Sequence, residues 1–214
     1  MSRDWPAWHQ QYDDPASSLW RRLEVVRAEL ASLLAATSGS VRLVSLCSGD
    51  GRDALPVLAA SRAQVDAVLV ELDAGLADRA RSTARELGLG GVEVRTGDAA
   101  STDTFADACP ADVLLACGVF GNVRDEDVAA TVAALPALLA HGARVVWTRG
   151  QRVPQDPTEV DGDPSLVVRD LFVAAGFEEV SFVRPADAGF RVGVHRWPGQ
   201  DGRPEQGVRL FTFV

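Results

Sequence analysis

Val41-Arg42-Leu43-Val44-Ser45-Leu46-Cys47 runs directly into Ser48-Gly49-Asp50-Gly51-Arg52-Asp53. The first run is dominated by branched apolar side chains and reads as a buried strand. The two glycines read as a tight turn opening a helix that extends through Ala60. Glycines placed there let backbone N–H groups approach a ligand closely, because no Cβ intervenes and a helix start presents free amides. The same alternation repeats downstream. Strands are predicted over 67–72, 92–96, 113–116 and 143–148, separated by helices over 74–87, near 102–108 and over 125–139. Strands alternating with helices require right-handed crossovers, hence a mostly parallel sheet with helices on both faces.

Upstream, the stretch 5–12 is aromatic and turn-rich, and Asp13-Asp14-Pro15 leads to Ser17 or Ser18 as a helix cap. Leu19, Leu23, Val26, Leu30, Leu33 and Leu34 then recur at three- and four-residue spacing, predicting a helix to about Ala36 with one apolar stripe. Downstream, residues 151–164 are rich in Pro, Asp and Gly and read as a functional loop. A helix is expected over 164–175, then β-rich runs over 179–183 and 190–196. Their connection is too short for a parallel crossover, so they should pair antiparallel. The tail 208–214 reads as one further strand.

At 214 residues the chain suits one domain, residues 1–214, with its own core. No apolar run approaches the roughly eighteen residues needed to span a bilayer. The N-terminus lacks a basic segment followed by an apolar one, so no signal peptide is expected and the cytoplasm is the expected location. Cys47, Cys109 and Cys117 are too scattered for a disulfide framework. A formal charge of -9 and a pI near 4.8 argue against nucleic acid or anionic lipid as partners, leaving a small molecule; oligomeric state is silent. There is no Lys, which excludes Schiff-base chemistry, a Walker phosphate loop and the Tyr/Lys pair of short-chain dehydrogenases.

Glu71 ends the strand that follows the glycine turn, about twenty residues on, where a carboxylate can accept both hydroxyl hydrogens of a ribose. An adenosine-type cofactor follows. A nicotinamide dinucleotide uses the same geometry, and Gly49-x-Gly51-x-x-Ala54 satisfies the looser dinucleotide fingerprint. The antiparallel ending and the missing second domain lean away from it, but an NAD(P)-dependent oxidoreductase stays as the alternative.

Over residues 19–196 the chain resembles the class I S-adenosylmethionine (SAM)-dependent methyltransferases. Val44 to Gly51 matches the family's first motif, acid-x-Gly-x-Gly-x-Gly, with Ser45 in place of the acid and Cys47 in place of the first glycine. Val70-Glu71-Leu72-Asp73 resembles the second motif, Gly97-Asp98-Ala99 the adenine segment, and Cys117-Gly118-Val119-Phe120-Gly121-Asn122 the segment that closes over cofactor and substrate. The resemblance implies a Rossmann-like α/β fold: a seven-stranded, mostly parallel sheet with an antiparallel C-terminal strand and helices on both faces. It implies SAM as cofactor, held by Cys47, Ser48, Gly49, Asp50 and Gly51 and, further along, by Glu71 on the ribose and Leu72 on the adenine. Asp98 and Ala99 are implied at the adenine amino group, with Cys117, Gly118 and Val119 beside the cofactor. Residues 1–36 become an N-terminal lid and helix, with Tyr12 in ligand contact.

Methyl transfer from a sulfonium is an in-line displacement with a neutral leaving group, so positioning supplies much of the rate and a base is needed only for a protonated acceptor. Candidates are His9 and Tyr12 in the aromatic segment, His195 on a late strand, and Arg149 after the fifth strand. Arg149 and Arg152 could clamp a substrate anion. His141 reads as a helix-end residue serving the dipole, and Cys47 and Cys117 as small buried residues. Dispersed His and Cys support no metal site. The altered first motif leaves a third class open, a SAM-binding protein of this fold without methyl transfer.

Overall fold

The computed structural model describes residues 10–150 and 163–214. Helix α1 (Ser18–Ala36) starts where Ser17 Oγ accepts the N–H of Trp20 at 3.0 Å, satisfying one of the amides a helix start leaves free. Leu23, Val26, Leu30 and Leu34 on its stripe are buried. Among the described residues there are seven strands: β1 (Ser40–Leu46), β2 (Gln64–Glu71), β3 (Val92–Thr96), β4 (Ala111–Ala116), β5 (Leu139–Gly150), β6 (Glu178–Val183) and β7 (Phe190–Arg196). They form one sheet ordered β3-β2-β1-β4-β5-β7-β6, parallel from β3 to β5, with β7 antiparallel to both β5 and β6.

Side chains alternate across the central strands, so each feeds two cores. Leu43, Leu69, Val113 and Val146 face α1, α2 (Leu55–Ala60) and α3 (Ala74–Glu86). Val44, Val70, Leu114 and Trp147 face α4 (Asp125–Ala134), α5 (Pro164–Ala174) and the C-terminal tail. The chain builds outward from β1 to β3, then returns to the other side of β1 with β4. That reversal opens a crevice between the carboxyl ends of β1 and β4, where open α/β sheets bind ligands.

The structure corrects several expectations locally. The glycine turn does not enter its helix at once: Gly51 C=O accepts the N–H groups of Ala54 and Leu55, and α2 begins only at Leu55, with Pro56 in its first turn. The helix expected over 125–139 stops at Ala134, because Pro136 has no N–H to donate; a 3-10 turn, Leu135–Leu138, leads straight into β5. The segment near 102–108 is two 3-10 turns, Thr102–Thr104 and Ala106–Ala108, rather than one helix.

His141 therefore lies in β5, not at a helix end, with its N–H on Asp201 Oδ1 at 2.6 Å. The tail is not a strand. It makes isolated bridges, Ser101 with Arg209 and Val123 with Phe213, while Leu210 and Phe211 sink into the core. Among the described residues no helix is long and apolar enough to cross a membrane.

Candidate functional site

The crevice holds a cavity of about 480 Å3 at the carboxyl ends of the strands. Its floor is the glycine turn. Cys47, Gly49 and Gly51 have φ of 53°, 58° and 74°, so the chain passes through left-handed conformations at all three. Glycine takes these without strain; Cys47, where the family motif has its first glycine, does not. Ser48 N–H donates to Val70 C=O at 2.9 Å, tying the turn to the end of β2.

Glu71 completes that tie. One carboxylate oxygen accepts the N–H of Gly49 and the other that of Asp73, each at 2.8 Å, and only 9% of the residue is exposed. Asp73 in turn caps α3 by accepting the N–H of Leu76. Beyond β3, Asp98 accepts the N–H of Ala100 at 2.9 Å and an Nη–H of Arg209 at 3.0 Å. Beyond β4, Gly118 N–H donates to Thr148 Oγ1 at 2.8 Å, pinning that loop to β5.

The cavity gathers most of the residues named from sequence. Tyr12, Cys47, Ser48, Gly49, Glu71 and Leu72 line it, as do Asp98, Ala99, Cys117 and Gly118. Three do not. Asp50 turns aside to bind the Arg52 guanidinium, Gly51 is consumed by the turn, and Val119 is fully buried in the opposite core. A side chain at Gly51 is strained, since a Cβ there would come within 2.6 Å of the Leu55 side chain from a left-handed φ of 74°.

Sequence reasoning missed Arg22, Asp53 and Phe213, which also line the cavity. Arg22 is 8% exposed and donates through Nη2 to the Tyr12 hydroxyl. The Tyr12 ring lies near two cations, its centroid 5.7 Å from the Arg22 guanidinium carbon and 5.0 Å from that of Arg52. Burial raises the Tyr12 hydroxyl above its ordinary value although Arg22 opposes it. Asp53 is half-buried as a residue, but its Oδ1 is fully enclosed without a hydrogen-bond partner. Burial pushes its carboxyl up to about 6; Asp50 adds to the push, and the N–H groups of Asp53 and Ala54 and the Arg22 charge oppose it. Burial likewise raises the Cys47 and Cys117 thiols, so both stay protonated and neither is a ready nucleophile.

The spacing of Arg22 and Val26 on α1 was a usable signal for the first of these residues. Asp53 was masked by reading the turn as the start of a helix. Phe213 had no local signal, because the tail reaches the cavity only through its tertiary path.

His195 is not at the cavity. It is 0% exposed, its ring stacked on Phe172 at 4.6 Å, and its Nδ1 accepts the Nε1–H of Trp147 at 3.0 Å. Burial lowers its pKa to about 4. Arg149 binds Asp125 at 2.7 Å on the α4 side and does not line the cavity. His9 and Arg152 lie outside the described residues. Among the described residues no group of three or more His, Cys, Asp or Glu side chains could hold a metal ion.

Strand order, strand direction and the placement of the cavity define the class I SAM-dependent methyltransferase fold. No family model and no curated protein matches the sequence. Solved structures do match in three dimensions. A magnesium protoporphyrin IX methyltransferase from Synechocystis PCC 6803 with bound SAM superposes with a TM-score of 0.65 at 15% identity, covering 91% of each chain. An O-methyltransferase family protein from Burkholderia thailandensis gives 0.64 at 16% identity over 86% of this chain and 56% of that one. The cyclase SpnF gives 0.57 at 18% identity over 79% and 81%. At such identities the likeness is one of fold.

Proposed function

We propose that the chain is a cytoplasmic SAM-dependent methyltransferase acting on a small-molecule acceptor. The observation that carries this is Glu71, which ties the glycine turn to β2 while facing the cavity at the β1/β4 crevice. An ionised carboxylate offers about four lone-pair sites; two are taken by backbone amides, and two remain for the hydroxyls of a ribose. Next to it Leu72 is 69% exposed and Phe213 40% exposed, two apolar side chains on one cavity, suited to the faces of an adenine. Asp98 lines the same cavity and would accept from the adenine amino group. The acidic composition favours a small, non-polyanionic acceptor, and the free thiols fit a reducing compartment.

SAM supplies the electrophilic methyl group when bound. The work left to the protein is to bind, to orient and to exclude water. Cys47, Ser48 and Gly49 follow β1 and Gly118 follows β4, and all four line the cavity, so the donor would be held between the ends of those two strands. Holding an acceptor at near-attack distance then provides much of the acceleration.

Calorimetric titration with SAM should show saturable, one-site binding, whereas NADH added in its place should show neither heat nor a change in nicotinamide fluorescence. Absence of SAM binding by folded protein would overturn the proposal, and saturable NADH binding would favour an oxidoreductase. A second reading, cofactor binding without methyl transfer, draws on two observations. Among the described residues no histidine lines the cavity, and both cavity thiols are held protonated. Turnover on any member of a broad panel of hydroxyl, amine and thiol acceptors would exclude it.

A further inference from the structure

We infer that Asp53 is the general base of the methyl transfer and that the acceptor is a small phenol whose hydroxyl donates to Asp53 Oδ1; this rests on the methyltransferase reading above. Among the described residues four carboxylates line the cavity: Asp53, Glu71, Asp73 and Asp98. Three of them are engaged. Glu71 accepts two backbone amides, Asp73 caps α3, and Asp98 accepts from Ala100 and Arg209. Of the four, only Asp53 has an enclosed oxygen without a donor. That is a costly state in a folded protein, and a hydroxyl brought by a ligand relieves it. The Tyr12 hydroxyl and the Cys47 and Cys117 thiols also face the cavity, but burial raises all three, so each keeps its own proton and takes up none.

The surroundings of Asp53 differ from those of the proposed nucleoside end. Cys47 feels Glu71 and Asp98, whereas Cys117 feels Asp53 and Arg22. Asp53 therefore keeps company with α1 and the end of β4. There Leu23 and Val26 give the cavity buried apolar walls and Tyr12 gives it an aromatic one. A flat apolar body carrying one polar group fits such walls.

The charged and titratable neighbours of Asp53 are Arg22 from α1, Tyr12 from the 3-10 turn Gln10–Asp13, Cys117 after β4, and Asp50 and Arg52 within its own turn. Arg22 is engaged with the Tyr12 hydroxyl and Arg52 with Asp50. Burial holds the Asp53 carboxyl at about 6, so it is ionised at neutral pH yet more basic than an ordinary carboxylate. A phenol, with a pKa of about 10, is within reach of such a base. An alkyl alcohol, nearly as weak an acid as water, is not. As the phenolic oxygen forms its bond to the methyl carbon, its proton passes to Asp53 Oδ1, and the electrons of the breaking carbon–sulfur bond stay on sulfur. The products are an aryl methyl ether, S-adenosylhomocysteine and a protonated Asp53, which returns its proton to water.

The test measures transfer from labelled SAM to a series of small phenols, from phenol itself to 4-nitrophenol, beside calorimetric binding of S-adenosylhomocysteine. Because the base must be ionised, wild-type kcat on phenol should rise with pH through about 6 and then level off. Asp53→Asn should lower that kcat by about a hundred- to ten-thousandfold, remove the inflection, and hold S-adenosylhomocysteine affinity within about twofold. At about pH 8.5, where 4-nitrophenol is ionised without help, its loss in the same variant should shrink below about tenfold. Asp53→Glu should recover part of the rate on phenol. Unchanged turnover in Asp53→Asn, an equal loss on phenol and 4-nitrophenol, or a matching loss of S-adenosylhomocysteine affinity would overturn the base while leaving the cofactor reading intact. Wild-type transfer to aliphatic amines or alcohols but to no phenol would also overturn it. S-adenosylhomocysteine binding without transfer to any acceptor would remove the methyl-transfer reading and the base together. Failure of folded wild-type protein to bind S-adenosylhomocysteine would remove the cofactor reading as well.

Discussion

Glu71 shows how one side chain joins fold to site. Glu71→Gln sets an amide NH2 against the N–H of Gly49 or Asp73, so the turn loses an anchor and the proposed ribose site loses an acceptor. Affinity for S-adenosylhomocysteine should fall by at least about tenfold in a calorimetric titration. Gly51→Ala strikes the same turn without touching the ligand. Its Cβ would meet Leu55 at 2.6 Å from a φ of 74°, and urea unfolding should show a loss of about 1–3 kcal/mol. His195 makes a prediction about pH. Because Nδ1 accepts from Trp147, the neutral ring carries its proton on Nε2, which is buried without a partner. Its folded pKa, about 4, lies below the ordinary 6.5, so its contribution to stability is complete above about pH 6.5 and is lost as pH falls toward 4. Melting temperatures should decline through that window, and less steeply in His195→Phe. Glu71 was legible in the sequence because a strand end fixes where its side chain goes. His195 was not, because period-two alternation says which face a residue takes, but not whether that face meets solvent, ligand or an aromatic cluster.

At the scale of elements, an ion-pair cluster anchors the start of α5. Asp163 caps α5 by accepting the N–H of Ser165 and binds Arg191 at 2.9 Å and Arg184 at 3.1 Å, with the Arg191 side chain almost wholly buried. Asp163→Ala would leave that buried guanidinium with backbone carbonyls but without its carboxylate, and the helix uncapped. Denaturant unfolding should register a loss of about 3–5 kcal/mol. The strands were read within a few residues, and β3 and β7 at their observed ends, because each is a short run rich in β-branched or aromatic residues, apolar throughout or alternating, bounded by turn residues. The elements read less well are those whose limits come from elsewhere. α4 ends early through the missing N–H of Pro136, and β5 starts early because its first residues pair with β4 across a register shift between Ala111 and Val113. The tail's hydrogen bonds go to Ala100, Thr102 and Asn122 instead of to a neighbouring strand, which no alternation pattern reveals.

For the molecule as a whole, local alternation and the handedness of crossovers made the mostly parallel sheet and its strand-end rim legible together, while the order β3-β2-β1-β4-β5-β7-β6, with its reversal beside β1, is set by tertiary packing. What was not legible is what reaches that rim from afar: Arg22 from the first helix and Phe213 from the last residues of the chain. Phe213→Ala should therefore weaken S-adenosylhomocysteine by about three- to tenfold with little change in unfolding free energy, since the ring is 40% exposed in the free protein. The most direct measurement is a crystal structure of the chain with S-adenosylhomocysteine. The account predicts ribose hydroxyls on Glu71, the adenine between Leu72 and Phe213 with its amino group toward Asp98, and the amino-acid end along the glycine turn. Ligand density outside the β1/β4 crevice, or an adenosine turned end for end within it, would contradict the account.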